Sequence, residues 1–413
     1  MSIRDRTLQP QLGIGNPNLI YYPTRFPSVV EQLQGFAKME ASIPGVSNLE
    51  THIYTDSLAF QPQVIQSSIR GLVTPTTLST ATKPLDITQL HRLIGLCGPV
   101  LYLHPKDPYL NTSIEDFLRH SKLFNKKTGK EIDSPAPDSL PQSGDDDQYF
   151  LRLKSEGKRG DFGSAKAYVR AFWQSGMPYT DIQFWIFSAY NGPGTLHVNG
   201  LVLDSIVNRG DVNLEPLGEH VGDWETCMIR VDNTTSKVIA IWLSQHSKGQ
   251  FFSGDQIDRA FIFEGSQPVI YSSLNGHALF SREGSNPSEY RKIGGIPVGV
   301  DFFIRNDTSK SNLRLDCAKR YELVSADWLV LPTPKWVTYP FRWGPEGISV
   351  SLKPSAVADI VKAAAGASFA KFLPVSALTI LAGEILPHFV KRDVNSAAAP
   401  IAHGSWKGTY PAY

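Results

Sequence analysis

From residue 165 to 352, apolar positions come in short runs or alternate with polar ones. The runs lie at 167–173, 182–190, 224–231, 236–244, 259–263, 268–272, 298–304 and 348–352. A two-residue period sends successive side chains to opposite faces, so it predicts strands with one face buried. Glycine, proline or asparagine stands between most of the runs, where turns are needed. The expected fold is mainly β: a large antiparallel β core of sandwich or barrel type, with peripheral and C-terminal helices. A small propeller is the remaining architecture, and the lack of a fixed-period repeat counts against it.

Outside this block the period lengthens. Leu85, Leu90, Leu93, Ile94 and Leu96 share a face if 84–97 is a helix, and 99–104 then reads as a strand. Ser113 is placed to cap a helix that begins Ile114-Glu115-Asp116. Residues 124–147 turn polar, from Lys126-Lys127 through Pro135 and Pro137 to Asp145-Asp146-Asp147, and predict a long flexible surface loop. Residues 1–80 are mixed, with a helix expected over 27–40 and extended pieces at 51–60 and 64–73. After Pro354 the chain becomes alanine-rich, and 355–372 and 375–391 read as amphipathic helices. Three regions follow: a mixed N-terminal segment over 1–80, a β core over 81–353 and a helical tail over 354–413. The tail helices offer a surface for a partner, a membrane surface or a second copy of the chain.

Composition excludes more than it names. The 413 residues carry 40 Lys+Arg against 39 Asp+Glu, a net charge of +1, and nothing favours nucleic acid as a partner. With 41% apolar and 19% charged residues the chain has the make-up of a folded domain. Cys97, Cys227 and Cys317 are too dispersed for a disulfide framework or a zinc cluster. The start, Met1–Arg6, lacks the apolar run of a signal peptide, and no window is apolar enough for a membrane span. A soluble, cytoplasmic protein is expected. No Walker loop, dinucleotide-binding glycine motif, Gly-x-Ser-x-Gly elbow or Cys-x-x-Cys pair occurs. Nucleotide-dependent, serine-hydrolase and dithiol chemistry therefore drop out, and no cofactor and no metal is expected.

The candidate chemistry is concentrated in Gly218-Glu219-His220-Val221-Gly222-Asp223-Trp224-Glu225. In a strand, Asp223 and Glu225 share one face and Trp224 takes the other. Such a carboxyl pair beside His220 divides into general acid and general base if burial separates their pKa values. Holding a metal, or capping a turn, are the other uses of the same residues. His246 and His277 each follow a strand-like run and border a small loop, so strand ends could bring them to the same mouth. Tyr190 and Asn191, before Gly192, are candidates for binding a substrate oxygen, and Trp173, Trp185 and Trp343 for walling an apolar pocket.

Several of these segments together resemble the Vps62 family, a group of fungal, plant and bacterial proteins named after a yeast vacuolar-sorting gene. Gly218–Glu225 is similar to the central block, and Gly98–Pro105 with Tyr109-Leu110 to the N-terminal signature, although Asn111 stands where proline is expected. Tyr190-Asn191-Gly192-Pro193, Ser244-Gln245-His246, Pro268–Tyr271 running on to Gly276-His277-Ala278, and Phe341-Arg342-Trp343-Gly344 resemble the other motifs. The likeness covers about 95–345 and leaves both ends outside. The family name records a sorting phenotype and not a reaction. The resemblance also implies kinship with orphan families whose members serve fungal small-molecule pathways as cofactor-free cyclases or dehydratases.

Residues and resemblance lead to three expectations. The first is a cofactor-independent enzyme of fungal secondary metabolism that dehydrates or cyclises an apolar or aromatic intermediate, a hetero-Diels–Alder closure included. In it His220, Asp223 or Glu225 moves a proton while Tyr190, His246 and His277 bind oxygen. The second is a non-enzymatic sorting or binding protein, and the third a metal-dependent hydrolase.

Overall fold

The computed structural model describes residues 83–201, 207–246, 248–295, 298–345 and 396–413. The segments expected at 27–40, 51–60, 64–73, 348–352, 355–372 and 375–391 lie outside the described residues. Two long alternating segments organise the rest. Strands β6 (Tyr179–Asn191) and β9 (His220–Asp232) pair antiparallel along their length, from Tyr179–Asp232 to Asn191–His220. Strands β5 (Ala167–Phe172), β10 (Val238–Gln245), β11 (Lys248–Ser253) and β18 (Tyr321–Ala326) complete a six-stranded sheet in the order β11-β10-β9-β6-β5-β18. β18 runs parallel to β5, so a long connection and not a hairpin joins them.

A second sheet holds β1 (Val100–Tyr102), β12 (Phe263–Glu264), β13 (Gln267–Ser272), β14 (Leu279–Phe280) and β17 (Arg314–Asp316), with β1 parallel to β13. One face of the large sheet (Val169, Phe184, Ile229, Ile241) meets Leu101, Ile270 and Leu315 of this second sheet in one core. Helix α1 (Ile87–Cys97), capped by Asp86 and Gln89, adds Leu90, Leu93 and Ile94 to it. Leu85 is buried there too, whereas Leu96 is turned outward, 44% exposed, one position off the apolar stripe. Cys97, Cys227 and Cys317 are free thiols buried in this core.

The opposite face of the large sheet carries a second, aromatic core. Tyr168, Trp185, Phe187 and Trp224 pack there with Trp336, Tyr339, Trp343 and Trp406. Helix α2 (Ile114–Arg119), capped by Ser113 as expected, supplies Ile114, Phe117 and Leu118.

Two smaller sheets flank this body. One contains β7 (Thr195–Leu201), β8 (Val207–Asn213), β15 (Gly284–Gly295) and β16 (Val298–Thr308). The other contains β2 (Ser121–Asn125), β3 (Glu131–Asp133) and β4 (Tyr149–Leu153). The architecture is mainly β, in mixed and antiparallel sheets. Two expectations are corrected. The polar stretch 124–147 is not simply a loop, because β2 ends in it and the solvent-facing strand β3 lies within it. The run at 259–263 is not one strand: residues 255–260 form helix α3 (Asp255–Ala260), whose Ile257 and following Phe261 reach the first core at helical spacing, and only Phe263 enters β12. No helix of the described residues is long and apolar enough to cross a membrane.

The last eighteen residues, 396–413, lie as a strap across the aromatic face. Short 3₁₀ turns at Pro400–Ala402 and Ser405–Lys407 shape it, and Trp406 is buried in the aromatic core. Sheet side chains hold its backbone: Arg170 Nε donates to the Trp406 carbonyl at 2.9 Å, Gln183 Nε2 to Ser405 at 2.7 Å and Trp242 Nε1 to Pro411 at 3.1 Å.

Candidate functional site

The β9–β10 ladder ends at Cys227–Leu243, although β9 continues back to His220. Residues 220–226 keep β6 on one side, and along the other side the sheet opens. Ser244 bridges the gap: its Oγ accepts the Thr226 N–H at 2.7 Å, and its hydroxyl donates to the Glu225 carboxyl. The opening is a cavity of about 540 Å³, the size of a small-molecule site. His220, Asp223 and Glu225 line one side of it, with Asn191 and Ser244 beside them. Trp224, Trp242, Leu214, Leu217 and Ile304 supply apolar surface, His246, Lys248 and Arg305 also line it, and the strap contributes His403 and Ser405.

Local chemistry explains the shape of β9. Gly222 has a left-handed φ of 69°, and a Cβ there would meet Trp343 Cβ at 3.2 Å and Ala397 Cβ at 3.4 Å. His220 Nδ1 lies 2.8 Å from the Gly222 carbonyl, an acceptor, so Nδ1 carries a proton and Nε2 is the nitrogen left to exchange one.

His277 arrives from the turn between β13 and β14. Asn275 and His277 both have left-handed φ, 67° and 53°, and His277 N–H closes the turn onto the Ser273 carbonyl at 3.0 Å. Its ring is buried between two acceptors: Nδ1 lies 3.0 Å from Asp223 Oδ2 and Nε2 2.9 Å from the Tyr109 carbonyl. Each contact needs a ring N–H, so both nitrogens are protonated and the ring is an imidazolium. Burial alone would lower the His277 pKa, but the charge of Asp107 and the hydrogen bond and charge of Asp223 outweigh it and raise it to about 9.

The two carboxyls of β9 are pulled apart. For Asp223, burial opposes the charge, yet the hydrogen bond from His277 and the fields of His220, His277 and His246 win, holding its pKa below the usual value. Glu225 has no such partner. Burial and then the Asp223 charge push its pKa well above the usual carboxylate range, against the weaker pull of Ser244. Asp223 thus favours the carboxylate and Glu225 the carboxylic acid, on the same face of one strand, an arrangement fitted to moving protons.

Ionising Glu225 inside the fold is unfavourable, while in the unfolded chain it ionises near 4.5. Its contribution to stability is thus complete below that value and is lost as pH rises toward the folded pKa. Glu225→Gln, which keeps the acceptor for Ser244, should therefore become more stable than the native protein as pH is raised from 5 to 8 in urea unfolding. A variant less stable than native at pH 8 would show that Glu225 is ionised in the fold.

The structure brings His220, Asp223, Glu225, His246 and Asn191 to the cavity and sets His277 directly behind Asp223. His246, also left-handed at 54°, stands at the rim with Nε2 3.2 Å from Asn306 Oδ1. Tyr190 is elsewhere: its hydroxyl donates to Glu219 at 2.6 Å and its ring packs on Tyr109. The three tryptophans expected as the pocket wall are corrected. Trp185 and Trp343 fall on the aromatic face of the sheet and are buried in its core, and Trp173 bonds the Met177 carbonyl in the β5–β6 turn. Trp224 and Trp242 line the cavity instead. Asp107, Ser244 and His403 are not marked by the sequence as site residues, although Ser244 opens the motif Ser244-Gln245-His246 and Asp107 falls between Gly98–Pro105 and Tyr109-Leu110.

Among the described residues no group of three or more His, Cys, Asp or Glu side chains is arranged to hold a metal ion. A family model described as vacuolar protein sorting-associated protein 62 matches residues 60–372. No curated protein matches the chain. Among solved structures, necrosis and ethylene inducing protein 2 from the causal agent of cocoa's witches' broom disease is similar, with a TM-score of 0.26 at 14% identity, over 50% of this chain and 72% of that one.

Proposed function

This chain belongs to the Vps62 family, and from that premise we propose that it is an acid–base enzyme that removes water from an oxygenated small molecule without an added cofactor. The observation that carries the reading is the carboxyl pair of opposite protonation, Asp223 and Glu225, on one wall of a 540 Å³ cavity. Glu225 donates its proton to the leaving hydroxyl as the C–O bond breaks. His220 Nε2 takes the proton from the neighbouring C–H, and that electron pair becomes the new double bond. Water leaves, and the proton on His220 returns to Glu225 to close the cycle. Asp223, fixed as an anion by His277, stabilises the positive charge that grows on His220. The apolar surface of Leu214, Leu217, Ile304 and Trp242 suits the carbon skeleton of such a substrate. An alkene or quinone methide formed there would be held folded for ring closure, where proximity supplies much of the rate. The narrower form of the proposal is a dehydratase-cyclase of a fungal natural-product pathway.

The test begins with native mass spectrometry of the protein purified without chelator, to identify a co-purifying small molecule. That molecule, or a panel of benzylic and β-hydroxycarbonyl compounds, is then assayed for loss of water. Glu225→Gln should lower kcat by about 10²–10⁴-fold, the range for a general acid, with the fold intact. Binding without turnover in the native protein would favour the binding-protein reading, and a stoichiometric divalent metal the hydrolase reading.

A further inference from the structure

We propose that Asp107 is the positioning residue of this site: through His277 it holds Asp223 ionised and aimed at the cavity. Asp107 lies in the loop after β1, with its side chain fully buried and its Oδ2 3.7 Å from His277 Nε2. Burial raises the Asp107 pKa, and the charge of His277 opposes it, as do the two backbone amides its oxygens accept, Oδ1 from Tyr109 at 2.9 Å and Oδ2 from Asn275 at 3.1 Å. One residue therefore ties the 104–111 loop to the 273–278 turn that carries His277. The Tyr109 carbonyl whose geometry it sets accepts from Nε2, and the Asn275 amide it accepts lies two residues before the ring.

The charges around this imidazole are few. Asp107 faces one side and Asp223 the other. His104 stands near Asp107, and His220, His246 and Glu225 near Asp223. A neutral His277 would keep a proton on only one nitrogen, and either Asp223 or the Tyr109 carbonyl would lose its donor. With Asp107 in place the ring keeps both protons. Asp223 then stays an anion beside Glu225, which in turn stays an acid. The inference rests on the acid–base reading of the cavity, but its test reads a protonation state and not turnover, so either can fail alone.

The experiment is ¹⁵N NMR of protein carrying labelled histidine, following the two ring nitrogens of His277. In the native protein both should show N–H signals at pH 7.5. Asp107→Asn keeps an acceptor for Tyr109 and removes the charge, and should lower the His277 titration midpoint by about one to three pH units. Asp223→Asn is the second variant, in which Asp107 remains and His277 should still carry both protons at pH 7. An unchanged His277 titration midpoint in folded Asp107→Asn overturns the proposal. So does a neutral ring at pH 7 in Asp223→Asn, which decides the matter even if Asp107→Asn does not fold.

Discussion

Replacing His277 with glutamine should destabilise the protein by about 3–5 kcal/mol near pH 6, the cost of removing one partner from a buried ionic cluster. The ring is 2% exposed and stands between Asp107 and Asp223, whose side chains are 0% and 13% exposed. Glutamine can donate one hydrogen bond where the imidazolium donates two, and it brings no charge. Two buried carboxylates then lack their counter-ion. The effect should depend on pH in a defined direction. His277 has its pKa raised from 6.5 to about 9 in the folded protein. Its contribution is present in full below 6.5 and disappears as pH rises through about 9. Asp223, with its pKa lowered, contributes above its usual 3.8 and loses that contribution as pH falls through the folded value. The gap between native and variant should be widest between these limits and close toward pH 9 in urea titrations. A gap that stays constant from pH 5.5 to 9.5 would show that His277 is neutral and serves only as packing.

The second large effect concerns the strap. Trp406→Ala should cost about 3–5 kcal/mol, the range for emptying a buried aromatic site. Trp406 packs against Trp185 at a centroid distance of 5.6 Å and lies under the Arg170 guanidinium at 4.5 Å. Arg170 itself is buried and splits its donors between the strap, Ser325 and Asp327. Loosening the strap would leave the Arg170 and Gln183 donors without their carbonyl partners, and each buried donor so stranded costs about 1–3 kcal/mol. The same change should weaken ligand binding, because His403 and Ser405 on the strap form part of the cavity wall. Chemical unfolding measures the first effect and calorimetry with the co-purifying ligand the second. Native-like stability, within roughly 0.5 kcal/mol, would mean that the tail is dispensable and the cavity complete without it.

Much of the central sheet was legible because its strands are buried on both faces, each with a different chemistry. In β6, Ile182, Phe184 and Ile186 serve the aliphatic core while Trp185 and Phe187 serve the aromatic one. The alternation was visible as apolar density. The same alternation turns Trp185 away from the Asp223–Glu225 face, which makes it core and not pocket wall. Strands β7, β8, β11 and β15 escaped notice because they are rich in polar residues and glycine, and such strands gain their pairing from a neighbour more than from their own pattern. Helix α3, which overlaps the start of the 259–263 run, was not legible because six residues are too few for a 3.6-residue period to stand out.

The candidate site divides in the same way. The chain alone determined that Asp223 and Glu225 share a face, since strand geometry fixes that at a spacing of two. It also marked His220, His246 and His277 as strand-end histidines, and the motifs around them carried the family. Which carboxyl keeps its proton was beyond its reach, because pKa values answer to burial and to charges brought from elsewhere in the chain. Asp107 lies 116 residues before Asp223 and His277 54 residues after it, and the tertiary fold alone sets both around one carboxylate. The cavity has the same origin: it exists because β10 parts from β9 after Cys227–Leu243 and the strap crosses near the gap. Local pattern is a property of neighbours along the chain, whereas an electrostatic site is a property of neighbours in space.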